Sequence, residues 1–161
     1  MSFFTALLVL FASDPGQVVG AWGSWAAIDR GSACEAVSRS PRPATKARPA
    51  AVAGFRFAAD RRQWGQFHLA MSREPRPGSS VMLEVGGQPF LLVARGRDAW
   101  SRSARQDQAI IDAVRGARSM KAEGRDSGGR RFTDRFDLAG APTAIDSAAA
   151  RCSLRGAGKI R

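Results

Sequence analysis

Over residues 53–94 apolar and polar positions alternate with a period of two, the mark of strands with one buried face. In 53–59, Phe55 and Phe57 flank Arg56. In 66–72, Phe67, Leu69 and Met71 share one face, with His68 and Ala70 on the other. Asp60-Arg61-Arg62-Gln63 has the composition of a hairpin turn, and Pro75-Arg76-Pro77-Gly78 stops the second strand. Val81, Leu83 and Val85 then alternate with Met82 and Glu84, Gly86-Gly87 supplies a two-residue turn, and 88–94 returns with Phe90 and Leu92 set against Leu91 and Val93. Four such segments joined by short turns predict an antiparallel meander.

Elsewhere the period changes. Over 107–118, Ala109, Ile110, Ala113, Val114 and Ala117 fall at helical spacing opposite Gln108, Asp112, Arg115 and Arg118, with Asp107 placed to cap the N-terminus. Ala144, Ile145, Ala148, Ala149 and Cys152 recur in the same way, with Thr143 as the cap and Asp146 in the first turn, so Cys152 points inward. Residues 120–125 and 130–138 read as a strand pair around Ser127-Gly128-Gly129, and 22–29 and 34–38 as short strands near the start. Residues 40–49 hold three prolines among basic residues and read as an exposed loop. After Leu154 the chain becomes a Gly- and Arg-rich tail, 155–161, read as flexible. The fold class expected is α+β and β-rich: a mostly antiparallel meander or sandwich of about seven or eight strands with two helices, in one domain over 22–154.

Composition adds a compartment and a surface. The chain of 161 residues is 44% apolar, with nine Phe and four Trp, which suits a globular domain with its own core. Its formal net charge is +11, and the basic residues are Arg except at Lys46, Lys121 and Lys159. Such a surface attracts phosphates, anionic lipid headgroups and acidic glycans, in a manner weakened by salt. Residues 3–12, FFTALLVLFA, form an apolar run of signal-peptide length, too short to span a bilayer and broken by Asp14, Pro15 and Gly16. Val19-Gly20-Ala21 offers compact residues for cleavage before Trp22, making 1–21 a signal peptide. No Lys or Arg precedes the run, and a buried first helix or strand is the competing reading. Export places the chain in the periplasm or outside the cell. There, Cys34 and Cys152 read as one disulfide; in a reducing compartment they read as two separate buried thiols.

Three features stand in fixed order: a Trp-rich segment leading into Cys34, a helix carrying AIIDAVRGARSM followed by a strand, and FTDRFDLAGAPTAIDSAAARC over 132–152. Together they resemble the invasion-associated locus B family of alphaproteobacterial envelope proteins, whose chains end in a similar strand, Leu-x-Gly, small-residue helix and Cys. The resemblance runs over 22–154 and implies an exported β-rich domain without known catalysis, in a family named for a link to host-cell entry. One departure is clear. Family members commonly carry a further Cys shortly after the early Trp, where this chain has Ala26-Ala27-Ile28-Asp29.

Catalytic and metal chemistry find little support. His68 is the single histidine, set mid-strand between Phe67 and Leu69, and no G-x-S-x-G motif accompanies it. One His and two Cys do not make a usual zinc site, and no D-x-D-x-D-G calcium loop occurs. Asp134 and Asp137 lie on opposite faces of a strand; Asp134 shares its face with Phe132 and Phe136 and needs a partner, for which Arg131 and Arg115 are candidates. Gly86-Gly87 and Gly128-Gly129 lack the Lys-Ser/Thr of a phosphate loop and read as turns. No cofactor or metal is expected, nor an enzyme. The basic residues give the one candidate site: Arg95, Arg97, Arg102 and Arg105 around Trp100 as an anion-binding cluster, with Arg125, Arg130 and Arg131 at a turn near Phe132. The function expected is that of a non-enzymatic exported envelope protein acting by surface contact. Its partners would be envelope polyanions such as lipopolysaccharide, or another envelope protein. Nucleic acid takes first place only if the chain stays in the cytosol.

Overall fold

The computed structural model describes residues 16–58, 60 and 62–157; the apolar run at 3–12 and the residues after 157 lie outside them. Among the described residues ten strands form a single antiparallel sheet: β1 (Gln17–Trp22), β2 (Trp25–Asp29), β3 (Ala33–Arg39), β4 (Val52–Ala58), β5 (Trp64–Ala70), β6 (Val81–Val85), β7 (Gln88–Arg95), β8 (Asp98–Trp100), β9 (Ser119–Arg125) and β10 (Arg131–Asp137). Their order in the sheet is β1-β2-β3-β4-β5-β8-β7-β6-β9-β10. The alternation read from the sequence is the burial pattern found: Phe55, Phe57, Phe67, Leu69, Val81, Leu83, Val85, Phe90 and Leu92 are all buried.

The sheet departs from the expected meander in count and in connection. β4 pairs with β5 and β6 with β7, but β5 pairs next with β8, and β6 with β9. Pro75 and Pro77 keep the chain after β5 from turning straight back, so it crosses to β6 and leaves a slot that β8 fills. Met71 N–H closes the slot with a 2.8 Å hydrogen bond to the Arg97 carbonyl. β8, at three residues, is too short to show a period. The stretch 22–29 is not one strand; Gly23-Ser24 turns β1 into β2. β1 and β8 raise the expected seven or eight to ten. Cleavage before Trp22 would remove Gln17–Ala21 and leave β2 as the edge of the sheet.

Two helices cover one face. α1 (Ala104–Gly116) packs on β5, β6 and β7, and α2 (Ala141–Ala157) on β1 to β5. Ser103, not Asp107, is the N-cap of α1, its hydroxyl accepting from Gln106 N–H at 3.1 Å. Asp107 is buried one turn in, where its Oδ1 accepts from Phe67 N–H at 2.9 Å and from the Ser101 hydroxyl, tying α1 to β5. Burial raises the Asp107 pKa and those two hydrogen bonds only partly oppose it. α2 begins two residues before the expected Thr143 cap. Pro142 fits there because N–H groups of the first helical turn have no intrahelical partner, so the one that proline lacks is not missed. Ala141, Ala144, Ile145, Ala148 and Cys152 form its buried stripe.

Cys152 is bonded to Cys34 of β3, across 118 residues of chain and with Cα atoms 5.7 Å apart. A second fastening lies beside it. Asp29, which faces Cys34 across the β2–β3 pair, is buried and accepts from Arg151 Nε at 2.8 Å and Arg155 Nη2 at 2.5 Å. Burial works to raise the Asp29 pKa, but the hydrogen bonds from Arg151 and Gly31 N–H, with the charges of Arg155 and Arg151, outweigh it and leave the value lowered. The folded carboxyl thus holds its proton less tightly than the unfolded one. Its contribution to stability is complete above about pH 4 and is lost as pH falls through the folded-state value. Thermal melts of the Asp29→Asn variant should accordingly show a lower Tm at neutral pH and a shallower decline than the parent below about pH 4. Equal slopes for the two proteins would contradict this.

The sheet curls until its ends approach, without closing into a barrel. Trp25 Nε1 donates to the Asp137 carbonyl at 2.8 Å, joining β2 to the end of β10. There the β1–β2 turn lies against Leu138-Ala139-Gly140. A Cβ on Gly140 would fall 2.0 Å from the Trp22 carbonyl oxygen, and one on Gly23 would fall 2.3 Å from that of Ala139. The Leu-x-Gly stretch before α2 is therefore a point of backbone contact between the two ends of the sheet.

Candidate anion-binding site

Four loops meet at one end of the strands around an open cleft of about 630 Å³. The loop 40–50 supplies Arg48, the crossover after β5 supplies Ser72 and Arg73, the β7–β8 turn supplies Arg97, and the β9–β10 turn supplies Asp126 and Arg130. The prolines at 41, 43 and 49 exclude regular structure, and the chain turns tightly instead. Thr45 N–H donates to the Arg48 carbonyl at 2.7 Å, Arg48 N–H returns to the Thr45 carbonyl at 3.2 Å, and this turn aims Arg48 inward.

Arg48, Arg73, Arg97 and Asp126 are each held by further hydrogen bonds. Arg48 Nε and Nη2 donate to Ser72 Oγ at 3.1 and 3.0 Å, and Ser72 N–H donates to Asp134 Oδ2 at 2.9 Å. Asp134, buried as its face predicts, takes those partners and the Arg48 guanidinium at 3.9 Å rather than Arg131 or Arg115; Arg115 instead pairs with Asp146 of α2. Arg97 Nε and Nη2 grip the Met71 carbonyl at 2.9 and 2.6 Å. Asp126 Oδ1 accepts from Gly128 N–H at 3.0 Å and Arg130 N–H at 2.9 Å, while Oδ2 takes Arg73 Nη1 at 2.9 Å. The Arg130 amide first, then the Arg73 side chain and Arg130 charge, lower the Asp126 pKa against the opposing effect of desolvation.

Asp126 and Asp134 are committed to these bonds, while Glu74, exposed, also lines the cleft among the four arginines. Partial burial, then the charges of Arg42 and Arg73, lower the pKa of the Arg48 guanidinium, with Asp134 opposing. Guanidiniums do not respond to such crowding by losing a proton near neutrality. With five N–H donors per guanidinium, Arg48, Arg73, Arg97 and Arg130 retain donors after their internal bonds, and planar guanidiniums match phosphate, sulfate or carboxylate oxygens.

The cluster expected around Trp100 is divided. Arg95 and Arg97 flank Gly96 in the β7–β8 turn, and Arg97 lines the cleft. Arg102 and Arg105 are exposed beyond the other end of β8, around the N-terminus of α1. β8 runs between the two pairs. Arg48 and Arg73, absent from that cluster, have only the basic proline-rich composition of 40–49 and an Arg in S-R-E-P-R to announce them. His68 faces away from the helices, its Nε2 3.1 Å from Asp98 Oδ1, with 40% of its side chain exposed. No Ser, Thr or Cys lines the cavity beside it. No helix among the described residues is long and apolar enough to cross a membrane. Comparison with family models, curated proteins and solved structures returns no match to this chain.

Proposed function

We propose that this chain is an exported envelope protein that acts by surface contact rather than catalysis, and that its basic cleft receives an anionic group of an envelope polyanion, such as the phosphate of lipopolysaccharide. The observation that carries the reading is the convergence of Arg48, Arg73, Arg97 and Arg130 from four loops on one open cleft, where Asp126 and, behind it, Asp134 are already hydrogen-bonded. An incoming phosphate or sulfate would accept donors from at least three of these loops. The cross-link between Cys34 and Cys152 supports the exported half of the reading, because such bonds persist in oxidising compartments. The ending Leu-Ala-Gly, small-residue helix and Cys supports kinship with the invasion-associated locus B family.

Heparin serves as the probe polyanion. Binding measured by calorimetry should weaken steadily as NaCl rises. The triple variant Arg48→Gln, Arg73→Gln, Arg130→Gln should bind more than about tenfold more weakly than the parent. The control Arg95→Gln, Arg102→Gln, Arg105→Gln should lose about threefold or less, as expected for scattered surface charge. Melting curves report whether each variant is folded. Salt-independent binding, or an equal loss in both folded triples, would overturn the assignment.

A further inference from the structure

On the sheet face turned away from the helices, the strand register sets Ala26, Val37, Gly54, His68, Trp100 and Val93 side by side across six strands. Their inward neighbours, Ala27, Ala36, Phe55 and Phe67, are buried under α2 and α1. The outward row is apolar and aromatic yet only partly covered, with Val93 49% exposed and the His68 and Trp100 rings 5.8 Å apart. Gly54 interrupts it. The backbone at Gly54 does not enter the left-handed region, so no turn demands glycine there. A Cβ would lie 3.1 Å from the Ala36 carbonyl oxygen and 3.2 Å from Val37 Cγ1, and it would also fill the floor of the groove. Glycine inside a central strand weakens the sheet, and it often marks a bulge, a bend, or close approach by a ligand or another backbone.

Gly54, itself buried, lines a groove of about 420 Å³, within the range of small-molecule sites. Its walls are Val37, Val52 and Trp100, and Gln63 and Gln66 place planar amides along it. The charged groups at its rim are paired with one another. Glu35 accepts from Arg30 Nε at 2.5 Å and from Arg56 Nη1 at 2.9 Å, and His68 faces Asp98. Nothing here resembles the crowded cations of the basic cleft.

We infer that this groove is a second binding site, for an uncharged saccharide unit. A sugar ring has an apolar C–H face that lies against an aromatic ring, and a rim of hydroxyls that both donate and accept. Trp100 with Val37 and Val52 meets the first requirement. The amides of Gln63 and Gln66, which also both donate and accept, meet the second. A charged ligand would have to displace an existing ion pair. The site lies on the opposite side of the sheet from the helices and shares no lining residue with the basic cleft.

The probes are the neutral oligosaccharides maltotriose and tri-N-acetylchitotriose, titrated into the full chain and followed by amide and indole NMR shifts. Saturable shifts confined to Gly54, Gln66, His68 and the Trp100 indole are expected, unchanged by NaCl. Gln66→Ala with Gln63→Ala, both away from the core, should weaken binding by about tenfold. Gly54→Val should abolish it, while heparin binding at the basic cleft is retained in both variants. The inference is overturned if neither sugar gives saturable shifts at about 10 mM, a generous limit for weak ligands of this size. It is equally overturned if the amide variant binds as the parent does, or if only tripeptides shift these signals.

Discussion

Removing the Cys34–Cys152 bond should lower the unfolding free energy by about 4–5 kcal/mol, because the bond closes a loop large enough to remove much of the unfolded chain's freedom. For a domain of this size that corresponds to a fall in Tm of roughly 10–20 °C. Both cysteines are fully buried, so the test variant is Cys34→Ala with Cys152→Ala; serine would add two buried hydroxyls without partners. α2 would still be held by the Asp29 pairs with Arg151 and Arg155 at neutral pH, so the doubly substituted protein should lose more of its remaining stability on acidification than the parent does. A change of less than about 1 kcal/mol would mean that the tie contributes little, contrary to the loop-closure account.

Gly140→Ala should be nearly as damaging, at about 3 kcal/mol, for a reason unrelated to composition. Gly140 combines a φ of +85° with a backbone neighbour 2.0 Å from where a Cβ would sit. The two causes can be separated. Gly31 has a φ of +83° with nothing near its would-be Cβ. Asn tolerates the left-handed region, so Gly31→Asn should cost about 1 kcal/mol or less, and Gly140→Asn should fail as badly as alanine. Chemical denaturation of the three variants measures all of this. If Gly140→Asn were as mild as Gly31→Asn, the contact between the β1–β2 turn and the start of α2 would not be the tight one described.

What the sequence disclosed, and what it hid, follows from the range of each signal. Phe55, Phe57, Phe67 and Leu69 alternate over enough residues to declare their strands, and the Ala144–Cys152 stripe declares the inward face of α2. Asp98-Ala99-Trp100 offers no repeat, and its place between β5 and β7 depends on residues that the chain reaches earlier. β1 was concealed by the apolar character that it shares with the preceding run and by the compact residues that resemble a cleavage site. Asp107 has the chemistry of a cap, but burying Ile110, Ile111 and Val114 starts the helix at Ala104 and leaves Ser103 to cap it. Arginines near one another in sequence suggested the candidate site. The cleft instead gathers arginines from four separate loops, and only the crossover after β5, with the sheet order that it imposes, brings Arg73 beside Arg48 and Arg130. A register across six strands is likewise invisible to local pattern, which is why the groove at Gly54 has no signature beyond one glycine in a strand.

The most direct trial of the account is the state of the two sulfurs in the protein as its own cells make it. Alkylation in denaturant without reductant, followed by intact mass measurement, should add nothing to the chain, and two adducts should appear only after reduction. Two adducts without reductant would contradict the covalent tie between α2 and β3, and the exported role proposed from it would lose its support.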